Sequence, residues 1–235
     1  MTISLKDPTT TLIIGLFVVL LGWYWFGTML NRRRVMRILR VIEVGVPEMG
    51  TQFQLPWRSS AGVQINFLEP VAPYTKANIV VSLEARDILP VWLFDHFFKG
   101  KRDQVVLRAE FARPPVSELV VLDPTTALGR LSLDHARSQG GLIEQATGPR
   151  GRRLGYAAQS KALQKQGEDL ARLILQQDWP VWVVSYQTHS PHLIVVWGVS
   201  ETNREMISPL FRRVRRVAQE VLKEGQQGTA GSKNR

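Results

Sequence analysis

The sequence predicts an α+β protein with a single N-terminal transmembrane helix and a cytoplasmic α/β-sandwich-like domain whose sheet is mostly antiparallel. Three observations lead to this fold class. Residues 8–31 carry no charged side chain. Short runs rich in Val and Ile follow one another in pairs, as hairpin strands do. Long segments with apolar residues every three or four positions separate these pairs and predict amphipathic helices.

Residues 11–30 predict a membrane span, because about 20 apolar residues at about 1.5 Å rise cross a hydrocarbon core of about 30 Å. A cleaved signal peptide would need a basic start, a shorter apolar run and small residues at the cleavage site. A buried core helix is the other alternative. Arginines follow the span, so the positive-inside rule places residues 1–10 outside the cell membrane and everything after residue 31 in the cytoplasm. The residues expected at the membrane interface are Trp23, Trp25, Arg32, Arg33 and Arg34.

Residues 31–46 predict a basic juxtamembrane helix that either lies on the membrane surface or leads into the domain. Residues 47–224 form the predicted domain, and residues 225–235 read as a disordered polar tail. Within the domain, Pro90 suits a first helical turn and Gly100 a helix stop, while Asp123 is a suitable helix cap. The predicted strands are 51–57, 62–68, 78–85, 104–112, 118–122, 181–186 and 193–199. The predicted helices are 87–99, a short helix to about 133, 156–177 and 202–224, with 134–155 irregular.

The chain has no cysteine, which excludes disulfides, cysteine-bound metals and thiol catalysis. Its net charge of +10 is concentrated in residues 32–44, 147–165 and 204–235, around a mildly acidic middle. Such segregation indicates a polyanionic partner, either anionic lipid headgroups or nucleic-acid phosphates. The expected contact residues are Arg150, Arg152, Arg153, Arg212, Arg213, Arg215 and Arg216.

The remaining motifs do not predict catalysis. Residues 148–151 match the GXXG loop of KH domains, but a mobile basic loop is the favoured interpretation. His189 and His192 have a spacing that suits a metal, yet the intervening proline favours a turn. We therefore predict no catalytic, cofactor, metal or small-molecule site. An enzyme acting through Asp134, His135 or His189 is the weaker alternative, and the role of His96 is open.

The order of these elements, with the segments RDILPVWLFDHFFKGKRDQVVLRAEF, ELVVLDPTTALGRL and HLIVVWGVSETNREMISPLFRRV, resembles the calumin-like family of coiled-coil-domain membrane proteins. That family contributes a subunit of the PAT complex of the multipass translocon. The resemblance implies a single-pass protein whose cytosolic domain sits on the ribosome beside the protein-conducting channel and assists membrane-protein insertion. The sequence shows neither the acidic segment before the anchor nor the Lys/Glu-rich coiled coil of that family.

The anchor and the basic segments predict a membrane-anchored, non-enzymatic adaptor that binds a polyanion, and the resemblance implies that this polyanion is ribosomal RNA near an insertion site. Its expected partners are membrane lipid, the ribosome, the protein-conducting channel and other membrane proteins. The alternative is a structural or scaffolding subunit of a membrane complex that binds anionic lipid.

Overall fold

The computed structural model describes residues 8–98, 102–138, 142–199 and 204–231, so the helix stop predicted at Gly100 lies outside the described residues. The described residues form an α+β fold in which a long N-terminal helix leads into an antiparallel sheet, as predicted. The helices are α1 (Pro8–Ile42), α2 (Val46–Met49), α3 (Leu89–Phe97), α4 (Ala127–Ser138), α5 (Lys161–Gln176) and α6 (Arg204–Gly231), with a 3-10 helix at Glu43–Gly45. The strands are β1 (Phe53–Gln54), β2 (Trp57–Ser59), β3 (Gly62–Phe67), β4 (Tyr74–Ser82), β5 (Gln104–Phe111), β6 (Leu119–Leu122), β7 (Leu142–Thr147), β8 (Arg153–Ala158), β9 (Val181–Tyr186) and β10 (Leu193–Gly198).

Helix α1 joins the predicted span and the juxtamembrane segment without a break over 35 residues. At 1.5 Å per residue it is about 52 Å long. Its N-terminal part is exposed all round, whereas Asn31, Val35, Ile38 and Ile42 are buried on one face, at the three-to-four spacing of a helix stripe. The juxtamembrane segment thus leads into the domain. In the part of the chain that the structure describes, α1 is the one helix long and apolar enough to cross a membrane.

The main core lies between one face of the sheet and the helices α1, α5 and α6. Ile42, Leu170, Trp197 and Phe211 are all fully buried there. Each such side chain contributes about 1.5–3 kcal/mol by leaving water. Helix α4 packs on the opposite face of the sheet, against β6 and β9. Side chains alternate between the two faces of a strand, and those of β6 and β9 that point away from the main core line a cleft that α4 covers.

The strand order β1-β3-β4-β5-β10-β9-β6-β8-β7 corrects one prediction. The sequence predicts that residues 104–112 and 118–122 pair with each other, but β10 and β9 lie between β5 and β6. The Pro-rich connection at 113–117 therefore crosses two strands instead of making a hairpin. β-Branched runs identify strands, but they do not identify the strand's partner.

The prediction of an irregular segment at 134–155 is wrong for its described residues. Helix α4 continues to Ser138, and β7 and β8 form a hairpin. As a result the following helix begins at Lys161 instead of Tyr156, with the Ser160 hydroxyl accepting a hydrogen bond from the Leu163 amide as an N-cap. The last helix continues past 224 to Gly231, where a disordered tail was expected; residues 232–235 lie outside the described ranges.

Candidate membrane-docking and polyanion-binding surfaces

A buried polar network joins α1 to the sheet where the predicted span ends. The Asn31 side chain is fully buried and its amide donates to the Glu84 carbonyl at 3.2 Å. Arg86 donates from both terminal nitrogens to the Asp103 carboxylate, at 3.0 and 2.9 Å. Arg34 donates to the same carboxylate at 3.0 Å, and the Glu84 amide does so at 2.8 Å. These bonds fix α1 relative to the domain.

The Glu84 carboxylate extends this network to α3. Its side chain is only 5 % exposed, so its charge needs partners. The Trp92 indole donates to it at 2.9 Å, and the His96 Nδ1 lies 3.3 Å away. Arg86 Nη2 lies 3.5 Å from the same carboxylate. One face of α3 is therefore held against the domain by the same residues that hold α1.

Helix α1 approaches the segment before α3 very closely. The Trp23 indole donates to the Arg86 carbonyl at 2.8 Å, and its ring lies 6.0 Å from that of Trp92. A side chain at Gly27 would place its Cβ 2.5 Å from the Arg86 carbonyl oxygen, so only glycine fits. Trp23 thus has a packing role that sequence reasoning missed.

The other predicted interface residues differ in their surroundings. Trp25 is 69 % exposed on the outside of α1. Arg32 and Arg33 are exposed, whereas Arg34 is committed to Asp103 although half of its side chain is exposed. Arg32 and Arg33 are therefore the arginines of this group best placed to contact a headgroup.

The basic segment around residue 150 is a hairpin turn. The Gly148 amide donates to the Arg152 carbonyl at 2.9 Å, and Gly151 adopts a φ of 74°, which glycine adopts without strain. The segment connects β7 to β8, so it is not the helix-flanked GXXG loop of a KH domain. Arg150 is exposed and forms an ion pair with Asp178, and Arg153 is exposed.

Arg152 is committed to the fold. Its guanidinium donates to the Asp123 carboxylate at 3.1 and 2.9 Å, to the Val181 carbonyl at 2.8 Å and to the Trp179 carbonyl. Its side chain is 23 % exposed. Arg152 therefore joins the start of β8 to the start of β9, and it exposes less of its side chain to a polyanion than Arg150 or Arg153 does.

Two arginines of α6 share the Glu48 carboxylate. Arg212 donates to the Glu48 Oε1 at 3.1 and 2.9 Å, and Arg215 donates to the Glu48 carbonyl at 3.0 Å and lies 3.2 Å from Oε2. Arg213 is half-buried and Arg216 is exposed. Because one carboxylate faces two guanidinium groups, this part of α6 keeps a positive charge. No local pattern signals the role of Glu48, which is far away in the chain.

Comparison of the chain with models of known protein families finds no match, and comparison with curated proteins finds no relative.

A cleft of about 300 Å³ lies between α4 and the strands β6, β8 and β9. It brings together His135, His189 and Glu118, and the Glu118 carboxylate lies 4.0 Å from the His189 Nδ1. The Thr188 hydroxyl also donates to this carboxylate at 3.1 Å. Asp134, the other residue of the enzyme alternative, is exposed and lies 3.7 Å from an arginine one helical turn away.

His192 has a structural role. Its Nδ1 accepts a hydrogen bond from the Phe111 amide at 2.9 Å, and its ring stacks on the Phe111 ring at 5.7 Å. This nitrogen is therefore unavailable for the metal that its spacing from His189 suits. Among the described residues no three metal-ligating side chains form a group.

Proposed function

We propose that this protein is a single-pass, membrane-anchored, non-enzymatic adaptor that presents a basic surface to a polyanion in the cytoplasm. The polyanion that we favour is ribosomal RNA at a site of membrane-protein insertion. The observation that carries this proposal is the unbroken α1, which is apolar and exposed in its first half and packs one face into the domain core in its second half. A rigid connection of this kind fixes the distance between a membrane and a binding surface.

The exposed half of α1 supports insertion into a bilayer. Phe17 and Val18 are more than half exposed, as are most of their neighbours on every side of the helix. Leaving this surface in water costs about 25 cal/mol for each Å². Lipid removes that cost, and the arginines from Arg32 onwards favour an orientation with the domain in the cytoplasm.

The position of α6 favours RNA over lipid as the polyanion. Asn31 lies at the end of the predicted span, and Ile42 lies about 16 Å further along α1 at 1.5 Å per residue. Glu48, which holds Arg212, follows Ile42 through the 3-10 helix and α2. The distance of about 16 Å between Asn31 and Ile42 is about two Debye lengths at physiological salt. Electrostatic attraction to lipid headgroups is therefore largely screened beyond Ile42, where Glu48 holds Arg212.

The contact residues are then the exposed members of the predicted set. Arg153 and Arg216 are exposed, and Arg150 and Arg212 are exposed but share their charge with a carboxylate. Arg152 and Arg215 stabilise the fold, and Arg213 is half-buried.

Co-sedimentation with ribosomes of the host, across a salt series, tests the proposal on the full-length protein in nanodiscs. Binding should weaken steeply with salt, because phosphate contacts release counterions. The double variant Arg153→Glu/Arg216→Glu should lose it. The control Arg108→Glu/Arg130→Glu makes the same change of charge at exposed arginines of β5 and α4, and it should bind normally. Binding that survives the first variant would contradict the proposal.

A second candidate is a scaffolding subunit that holds anionic lipid. The observation that favours it is the exposure of Arg32, Arg33, Arg37 and Arg40 directly after the predicted span, opposite the buried face of α1. Nanodiscs with and without anionic lipid separate the two candidates. A partner that is recruited only with anionic lipid, without ribosome binding, favours the scaffold.

A further inference from the structure

Helix α3 leaves an apolar surface exposed. Its sequence is LPVWLFDHF, and the residues on its outer side include Val91, Phe97 and the following Phe98. Phe97 is 72 % exposed and Phe98 is 79 % exposed. Ile88, just before the helix, is 48 % exposed. Soluble proteins rarely expose several large apolar side chains side by side, and such patches mark sites of interaction.

The outer side of α3 cannot turn inward, because the inner side is fixed. Trp92 packs on Trp23 and donates to the buried Glu84 carboxylate, and His96 lies against the same carboxylate. Asp95, also on this side, is only 6 % exposed. The helix is therefore held in one orientation by polar contacts that rotation about its axis would break.

The position of α3 along α1 identifies what covers the apolar side. The segment just before α3 contacts α1 at Trp23 and Gly27, both within the predicted span at 11–30, and Trp92 of α3 packs on Trp23. The outer face of α3 therefore lies beside the last turns of the span, at the level where aromatic side chains meet lipid headgroups. The exposed apolar surface of α1 and that of α3 are next to each other.

We propose that α3 is a second membrane contact, an interfacial helix whose outer side enters the boundary between headgroups and acyl chains. A short helix with bulky apolar residues on one side suits this position. An exposed arginine follows each of the two apolar segments in the chain, Arg32 and Arg33 after the predicted span and Arg102 after α3, and these side chains suit the phosphates of the headgroups. With two contacts, the unit of α1 and the domain can neither tilt nor rotate relative to the membrane. The inference rests on the membrane-spanning assignment of α1.

Single cysteines test this directly, because the chain has none of its own. An environment-sensitive fluorophore is attached to the full-length protein in phosphatidylcholine–phosphatidylglycerol nanodiscs, at Phe98→Cys, Val18→Cys or Leu131→Cys. Quenching is then compared between spin-labelled lipid and aqueous iodide. Leu131 is the matched control, since it is an exposed apolar residue of α4, which packs on the face of the sheet opposite α1.

We expect spin-labelled lipid to remove most of the fluorescence at Phe98→Cys and Val18→Cys, and iodide to do so only at Leu131→Cys. Iodide quenching at Phe98→Cys, with lipid quenching kept at Val18→Cys, would overturn the second contact and leave the anchor intact. Protection at Phe98→Cys from both quenchers would also overturn it, because a second protein surface would then cover α3. Absence of lipid quenching at Val18→Cys would instead overturn the anchor.

Discussion

Replacement of Arg86 by methionine removes the central cation of the network between α1, the sheet and α3. The side chains of Arg86 and Asp103 are only 14 % and 12 % exposed, and two hydrogen bonds of 2.9–3.0 Å join them. Arg86 also lies against Glu84, whose side chain is 5 % exposed. Arg86→Met keeps the length and the apolar stem of the side chain, so that mainly the charge and its hydrogen bonds are lost.

The cost follows from the burial of the two carboxylates. Removal of one partner from a buried ion pair costs about 3–5 kcal/mol, because the remaining charge loses its compensation. Here the buried Glu84 carboxylate loses its arginine, and Asp103 keeps only the half-exposed Arg34 as a cationic partner among the described residues. For a domain of about 200 residues, each kcal/mol lowers Tm by about 2–4 °C. We therefore expect Arg86→Met to lower Tm by about 6–20 °C, on the same coefficient.

Thermal unfolding of the detergent-solubilised protein, followed by circular dichroism, measures this shift. The control is Arg172→Met, which removes an ion pair to Glu168 on the surface of α5, where the arginine side chain is 65 % exposed. Exposed pairs contribute about 0–1 kcal/mol, so the control should change Tm only slightly. Equal, small shifts in the two variants would refute the reasoning that the network holds α1 to the domain.

Three further changes have defined outcomes. Gly27→Ala should lower Tm, because its Cβ would meet backbone atoms at 2.5–2.8 Å, whereas Gly22→Ala, with nothing within 4 Å, should leave it unchanged. Burial, with the Glu144 carboxylate beside it, raises the pKa of Tyr156 from 10.0 to about 12. The neutral phenol therefore stabilises the fold below pH 10, and this contribution is lost as pH rises towards 12, so Tyr156→Phe should make the alkaline loss of Tm shallower. Glu48→Gln should free Arg212, so the negative slope of log K against log salt in ribosome sedimentation should become steeper by about one; an unchanged slope would contradict that role.

Those parts of the fold that depend on local pattern are predictable from the sequence. The absence of charge in 8–31 identifies the exposed half of α1, and the apolar spacing of α6 matches the residues that it buries. Strand pairing is different, because β10 joins β5 through contacts between distant parts of the chain. Nothing in the pattern of either strand specifies that partner.

The same limit applies to the candidate sites. Arg152 and Arg153 are neighbours in the chain and look equivalent there, yet one is bonded to Asp123 and the other is exposed. Arg152 lies directly before β8 and Arg153 is its first residue, so their side chains point to opposite sides, as successive side chains do in extended backbone. The different roles of the two arginines are predictable only if this segment is recognised as a hairpin. Its several glycines instead favour an irregular segment in the sequence analysis.

The cytoplasmic position of an anchored domain is the central claim, and cysteine accessibility in intact cells tests it most directly. A membrane-impermeant maleimide is applied to cells that express the full chain with Ser4→Cys, before the span, or Arg108→Cys, on an exposed position of β5. We predict labelling of Ser4→Cys in intact cells and of Arg108→Cys only after permeabilisation, with both proteins in the membrane fraction. Labelling of Arg108→Cys in intact cells would contradict it.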